Sequence, residues 1–519
     1  MELRPYVHAA QVFGAVVEEQ PTAPALLWEP GRCTTYAQLD RLSNRFAWVL
    51  LEHGVHKRDT VALCLEKGPA AYAAILACLK IGAIYFAMDP ANPPARLRSI
   101  ADQCQPALAF VGASVPPGIF DGQTVAVSET EEEPACVAGR ADGPARLPWE
   151  IDGSDPAYIM FTSGSTGVPK GVTISQANLI HFIRWARWEF GVGPGDVLTG
   201  LNPLFFDNSV FDFYASLCTG AALVPFGSAT MRDPEKILSR TAELGCTVYF
   251  SVPSLLVYLQ RLKLVGPGSF PSLRTIVFGG EGYPKPMLAR LYEALGESVE
   301  LCNVYGPTEC TCICSVHRIR QADLADLSGY PPLGRLTPHF SGVIVGETAR
   351  EVAPGETGEL HLGGPCVGLG YYRAPELTAA AFIQNPTHQA FLDRVYKTGD
   401  LVRFDPGDGY LHFVGRTDTQ IKHQGYRIEL GEIEHALTSI DGVGEAAAVY
   451  ALIDGVGRLM ALVGADSDLS AARIKRSLAE SLPKYMIPDR IAVVTTLPKN
   501  ANGKIDRRQI TVSFERGLL

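Results

Sequence analysis

Between residues 31 and 111 the chain alternates two hydrophobic periods, and this alternation restricts its fold more than any other feature. Apolar positions three and four apart mark amphipathic helices over 36–51 and 71–79, while short unbroken apolar runs at 61–65 and 108–111 mark strands. Strands and helices taking turns in this way belong to a parallel sheet covered by helices. The alternation resumes over 157–314, with strands expected at 248–251, 275–278 and 301–304. The intervening 113–149 is rich in Pro, Gly and Glu and reads as a surface connection.

From 342 to 414 the pattern changes to short strands broken by Gly and Pro turns, which predicts a β-rich unit of distorted-barrel type. After Asp418 a helix is expected over 429–438, strands over 445–450 and 459–463, a helix over 470–481 and a strand over 491–494. That is a compact α+β unit of about a hundred residues. The expected fold is therefore α/β. A large N-terminal domain, 1–417, holds helix-covered, mostly parallel sheets plus the β-rich barrel; a small α+β C-terminal domain spans 418–519.

Composition removes several function classes. With 45 Lys and Arg against 55 Asp and Glu, the net charge is −10, which argues against nucleic-acid binding. The most apolar stretch, 70–88, is interrupted by Lys80 and reads as a buried helix followed by a strand, so no membrane span is expected. The N-terminus lacks a secretory core, and the expected location is the cytoplasm. The twelve Cys form no CxxC pair, which speaks against zinc. Cys310, Cys312 and Cys314, two apart, would share one side of a strand.

Three segments carry chemistry. The run 162–171, Thr-Ser-Gly-Ser-Thr-Gly-Val-Pro-Lys-Gly, puts three Gly, four hydroxyls and one Lys behind a strand-like stretch. Such a loop can wrap a polyphosphate. It is not a Walker A loop, because Pro169 and Gly171 flank Lys170. The run 303–309, Asn-Val-Tyr-Gly-Pro-Thr-Glu, ends an apolar strand, where open α/β sheets bind ligands. A carboxylate such as Glu309 beside a phosphate loop can hold Mg²⁺. The third comprises 396–400, 415–422 and 425–429, in which Asp400 can accept both hydroxyls of a ribose; Lys504 follows in a Pro, Gly and Asn-framed loop.

In this order the segments resemble the core motifs of the adenylate-forming superfamily. More narrowly, the chain resembles the amino-acid adenylation domains of nonribosomal peptide synthetases and the free-standing amino acid:carrier-protein ligases. The resemblance runs from Thr34-Thr35-Tyr36 and 79–83 through Lys504. It implies that Thr162, Ser163, Gly164, Ser165, Thr166, Gly167 and Lys170 cradle the β- and γ-phosphates of ATP. Tyr305 would stack on adenine, Asn303 meet its amino edge, Thr308 the α-phosphate and Glu309 the Mg²⁺. Asp400 would bind ribose with Arg416 nearby, Asp418 would be the hinge to the small domain, and Lys504 would bridge substrate carboxylate, ribose and α-phosphate. Departures are modest: Ser165 for a usual Thr, and variant residues at 86–90 and 368–371.

These residue types suit the reaction. An α-carboxylate, of pKa about 3.5, is already an anion at neutral pH and needs no general base. Its difficulty is repulsion from the triphosphate, which fixed positive charge relieves. The resemblance further implies that Asp207 grips a substrate amino group, with Asn208, Phe211, Phe250, Val277, Gly279, Val304, Cys312 and Ile313 completing the pocket. No Lys, Arg, Glu or second Asp is among these positions, so a small to medium uncharged amino acid, such as proline or alanine, is expected. Phe211 and Phe250 would remove depth and Gly279 would open one wall. No carrier domain follows Lys504 before Leu519, so the expected acceptor is the phosphopantetheine of a separate carrier protein. The alternatives are an acyl- or aryl-CoA ligase and, from another class, a phosphotransferase releasing ADP.

Overall fold

The structure, a computed structural model, describes residues 6–129, 131–164, 167–453, 456–465, 469–500 and 504–519. Two sheets form the body of the larger part. In the nine-stranded sheet, six adjacent strands run parallel, from Glu300–Tyr305 through Thr275–Gly279, Val248–Ser251, Val197–Gly200 and Ala222–Pro225 to Pro24–Glu29. The seven-stranded sheet has a parallel core of Pro156–Thr162, Ile84–Ala87, Thr60–Cys64, Leu108–Val111 and Gln123–Ala126. Its antiparallel end begins with Lys170–Ser175, joined to Pro156–Thr162 through the Gly-rich loop.

Strand boundaries follow the apolar runs closely. The helix Pro69–Ile81 buries every residue from Ala70 to Ile81 except Lys80. Lys80 is tolerated because its ammonium meets Asp40, Ser43 and Asn44 side chains at 2.6–2.7 Å. A paired, hydrogen-bonded charge escapes most of the penalty of burial. This helix and the following strand Ile84–Ala87 account for the stretch 70–88, and no helix among the described residues is long and apolar enough to cross a membrane.

Two expectations are corrected. The connection 113–149 contains the strand Gln123–Ala126, which adds to the sheet edge. Residues 310–314 are not a strand: Thr308–Cys310 is a 3-10 turn, Thr311 and Cys312 have positive φ, and the next strand is Ser315–Arg318. The chain must reverse after Tyr305 to pair antiparallel with its own strand, with Tyr305 opposite Ser315. Period-two spacing of three thiols could not reveal that reversal. It depends on Gly306, where a Cβ would collide with the Cys312 carbonyl.

A five-stranded antiparallel unit follows, built on the long strand Arg394–Asp405. Between its strand Tyr410–Arg416 and the two-stranded hairpin Gln420–His423 and Tyr426–Glu429 lies Asp418. The remaining chain forms a three-stranded sheet, Val443–Ile453, Val456–Ala465 and Arg490–Val494, with its own apolar core and the helices Leu430–Thr438, Ala471–Ser481 and Arg507–Glu515. The last of these was not expected from sequence.

Gly306→Ala should destabilise the fold by about 1–3 kcal/mol, the usual cost of overpacking. Thermal unfolding of the variant beside the parent checks this; an unchanged melting temperature would show that the 306–312 reversal has room to relax.

Candidate active site

Loops at the carboxyl ends of the parallel strands converge on one small cavity of about 90 Å³, lined by Thr162, Ser163, Asp207, Asn208, Thr308 and Asp400 among others. The hairpin 420–429 forms its opposite wall, contributing Gln420, Lys422, Gly425 and Arg427.

On the nucleotide side, Tyr305 ends a buried strand and donates its hydroxyl to Asp400 Oδ2 at 2.6 Å. Arg416, opposite Asp400 in the ladder, binds the other oxygen. The same guanidinium clasps Asp418 through Nε at 2.7 Å and Nη2 at 2.8 Å, so the residues expected at ribose and hinge share one cation. Burial opposes ionisation of Asp418, but these bonds prevail and hold its carboxyl below the usual range. Asn303 gives its amide N–H to the Pro332 carbonyl at 2.7 Å, which fixes the orientation of the amide.

Glu309 is fully buried, and Arg427 Nη1 reaches both its oxygens, at 2.8 and 3.1 Å, while the Tyr371 hydroxyl adds a bond at 2.8 Å. Burial alone would raise its pKa; the Arg427 charge and the Tyr371 hydroxyl outweigh it and lower it. A hard cation such as Mg²⁺ is served by one or two carboxylates with phosphate oxygens, and Glu309 suits that role. In the present arrangement Arg427 holds the same oxygens.

The Gly-rich loop shows a parallel substitution. Gly164 N–H donates to Glu432 Oε2 at 3.2 Å, and Glu432 pairs with Arg96 at 2.6 Å. Ser163 Oγ donates to the Arg427 carbonyl at 2.7 Å and accepts from Glu429 N–H at 3.1 Å. A carboxylate thus sits on an amide expected to meet phosphate. Lys170 faces Glu429 at 3.9 Å. Gly167 packs against His435, which leaves no room for a Cβ. Ser165 and Thr166 lie outside the described residues.

On the acyl side, Asp207 precedes the helix Asn208–Leu217, is 8% exposed and accepts Thr308 Oγ1 at 2.5 Å. Burial raises its pKa, with the Thr308 bond opposing. Asn208 Nδ2 is buried without a hydrogen-bond partner. The other expected pocket residues lie behind the cavity: Phe211 stacks edge-on against Phe250 at 5.1 Å, and Val277, Val304, Cys312 and Ile313 belong to the same core. Gly279 does not open a wall. The Val304 carbonyl and side chain occupy the space its Cβ would need, because the two residues are partners in adjacent parallel strands.

Lys504, expected to be catalytic, is not brought to the cavity. It is exposed in the loop after Asn500, whose Oδ1 accepts the Lys504 N–H at 3.1 Å, and it does not line the cavity. In its place stands Lys422, half-buried, with its ammonium 5.3 Å from the Tyr305 ring centroid. Burial lowers its pKa, against the opposing charge of Asp400. Sequence reasoning gave Lys422, Arg427, Arg96 and Glu432 no roles. Two charged residues paired across a short hairpin, Lys422 with Arg427, were the available signal.

A second, larger groove of about 810 Å³ runs between the large and small parts and meets the first cavity at Asp89, Phe205, Phe206, Gly425 and Tyr426. Gly425, at φ +81°, abuts Val252 and donates its N–H to Glu281 at 3.1 Å.

Comparisons with known proteins agree with this geometry. The family model for AMP-binding enzymes matches residues 13–372, and that for their C-terminal domain matches 432–504. An L-proline–[L-prolyl-carrier protein] ligase of Streptomyces coelicolor is 35% identical over 92% of this chain and 91% of its own. Tyrocidine synthase 3 of Brevibacillus parabrevis is 33% identical over 96% of this chain, which spans only 8% of that much longer protein. Among solved structures, NpsA-ThdA, a fused adenylation–PCP di-domain from Klebsiella oxytoca, superposes with TM-score 0.81 at 25% identity, covering 94% of each chain. The family match over most of the length, with a full-length relative at 35% identity, places the chain among the AMP-binding enzymes, as an AMP-forming ligase.

Proposed function

We propose that the protein uses ATP to convert a compact uncharged amino acid, proline first among candidates, into its aminoacyl-adenylate with release of pyrophosphate. It then passes the acyl group to the phosphopantetheine thiol of a separate carrier protein. The observation that carries this reading is Asp207. Its buried carboxylate faces the cavity and makes no ion pair among the described residues, an arrangement that favours a ligand bringing its own cation. A substrate ammonium answers that need; a fatty or aryl acid does not. The uncharged residues packed behind Asp207 suit an uncharged side chain, and the similarity to a prolyl-carrier ligase orders the candidates. The unpartnered Asn208 amide is available to a carbonyl or carboxylate of the ligand.

The arrangement seen here favours the second half-reaction. Pyrophosphate would need the Gly164 amide, which Glu432 holds, and Mg²⁺ would need Glu309, which Arg427 holds. Mg²⁺, when bound, supplies positive charge to phosphate oxygens. Lys504 is remote, whereas Lys422 lies beside Asp400 and Tyr305, where a charge can steady departing AMP. The first half-reaction then requires the hairpin to withdraw and Lys504 to enter, by rotation at Asp418 between the domains 1–417 and 418–519. The interdomain groove, reaching the acyl site at Gly425, offers a path for a thiol arm.

A panel of amino acids in ATP–pyrophosphate exchange tests the reading: exchange should appear with proline or a residue of similar size. Exchange driven only by an aryl or fatty acid, or ADP as product, would overturn it. Lys504→Ala should cut exchange by on the order of 10²–10³, the cost of losing one transition-state charge, while transfer from preformed adenylate persists. Equal loss in both half-reactions would count against alternation.

Asp207 must be ionised to hold an ammonium, and burial raises its pKa. Acidification should therefore weaken apparent amino-acid affinity already above the ordinary carboxylate range. Asp207→Asn should remove both the affinity, by on the order of 10²-fold or more, and its pH dependence. The amino-acid concentration dependence of exchange at several pH values reads both.

A further inference from the structure

The hairpin that separates the two cavities carries different chemistry on its alternate residues. Lys422 and Arg427, a ladder pair, face the nucleotide side. The next pair, His423 and Tyr426, flanks the turn at Gln424 and Gly425. His423 lines the groove, two residues from the Gly425 at which the cavities meet. Its ring stacks edge-on against Tyr450 at 5.5 Å, with Nδ1 3.4 Å from the Tyr450 hydroxyl, and Nε2 has no hydrogen-bond partner among the described residues. Building on the reading above, we propose that His423 accepts the proton of the nucleophile that enters by the groove and attacks the acyl-adenylate.

The chemistry calls for such a group. A thiol of pKa about 8.5 is mostly protonated at neutral pH, and the thiolate is the nucleophile. As sulfur bonds to the acyl carbon, its proton passes to His423 Nε2. The bond from that carbon to the phosphate oxygen breaks, and its electron pair leaves with AMP. The imidazolium then returns the proton to water through the groove. No oxidant or further reactant is needed.

A base must be neutral to act. The groups facing His423 are Glu281 from the loop after Thr275–Gly279, Asp489 before Arg490–Val494, and Arg458 and Tyr450 from the neighbouring strands. Burial is the largest influence and lowers the imidazole pKa; Asp489 and Glu281 oppose it, Arg458 reinforces it, and the net shift is downward. The other carboxylates are less suited. Both oxygens of Glu281 are held by the N–H groups of Ser254 and Gly425. Asp89, at the junction, already accepts the Ala91 N–H.

The test is single-turnover transfer from aminoacyl-adenylate, formed in place with the amino acid found by exchange, to free pantetheine as a function of pH. Wild-type transfer should fall on acidification with a midpoint below the ordinary histidine value and level off near neutrality. His423→Ala should lose on the order of 10²–10⁴ in transfer, far more than in exchange, and its rate should keep rising toward the pKa of the thiol. Added imidazole should restore part of the loss. His423→Gln, which keeps the bulk against Tyr450, should show the same altered profile. An unchanged profile in both variants overturns the proposal, as does a loss that is equal at every pH and insensitive to imidazole, or a plateau that moves with Asp89→Asn instead. A wild type that exchanges pyrophosphate with no amino acid overturns the parent reading, and this one with it; normal exchange with an unaltered His423 profile overturns this one alone.

Discussion

The ion pair between half-buried Arg427 and fully buried Glu309 is the interaction on which the rest of the arrangement depends. The Glu309 charge could not stand alone where it lies, because an unpaired ion in a protein interior costs several kcal/mol. Each supplies the other's neutralisation, and Tyr371 and Gln420 take up remaining hydrogen-bonding capacity, the latter accepting Arg427 Nε at 2.7 Å. Gln420 also accepts from Arg416 at 3.2 Å, and Arg416 holds Asp400 and Asp418. A continuous run of charge-assisted bonds therefore links the end of the central strand, the ribose-side carboxylate and the start of the small domain. Withdrawing Arg427 leaves the buried Glu309 carboxylate in need of another cation, so the pair parts only as the hairpin carrying Arg427 moves and a cation takes its place.

That constraint explains why carboxylates and cations of the small domain occupy the places expected for ligands. Glu432 sits on the Gly164 amide, and its charge is met by Arg96. Arg427 takes the oxygens that a metal would need. A site of the proposed kind, which binds a triphosphate, would carry concentrated donors that are costly to bury unsatisfied. The small domain satisfies them from its own residues, through the helix Leu430–Thr438 and the hairpin before it. Closure of this kind is electrostatically balanced, which makes two arrangements of similar energy physically reasonable.

Much of this was legible in the sequence where local physics decides. The run 248–251 has the same bounds in the structure, because three consecutive apolar residues and a Ser between turns admit little but a buried strand. The Gly-rich loop announces itself through composition, and its neighbour at 303–309 through its place after an apolar strand. What stayed hidden depends on tertiary contact. The thiols of Cys310, Cys312 and Cys314 alternate as in a strand, yet Thr311 and Cys312 take positive φ because the chain reverses there. Gly279 suggests open space in a sequence, whereas a neighbouring carbonyl fills it. Lys504 stands as a lone lysine in its loop and Lys422 as one of a hairpin's charged pair, but only the packing of the small domain decides which one lies beside Tyr305.

The alternation of side chains along the hairpin carries the argument one step further. In an extended strand successive residues face opposite ways, so a segment placed between two cavities serves both without added structure. Lys422 and His423 divide in this manner, and Gly425, which packs so closely on Val252 that a Cβ would not fit, lies where the two cavities meet. A lysine in the tip position would be protonated at neutral pH and could not take up the thiol's proton, and a histidine beside Arg416 and Arg427 would lie among fixed cations rather than beside the entering thiol. Placing the permanent cation toward the leaving group and the neutral imidazole toward the entering one keeps the two electrostatic environments separate. One hairpin of ten residues can then bring both tasks to the reacting carbon in a single movement, and withdraw both together when the triphosphate returns.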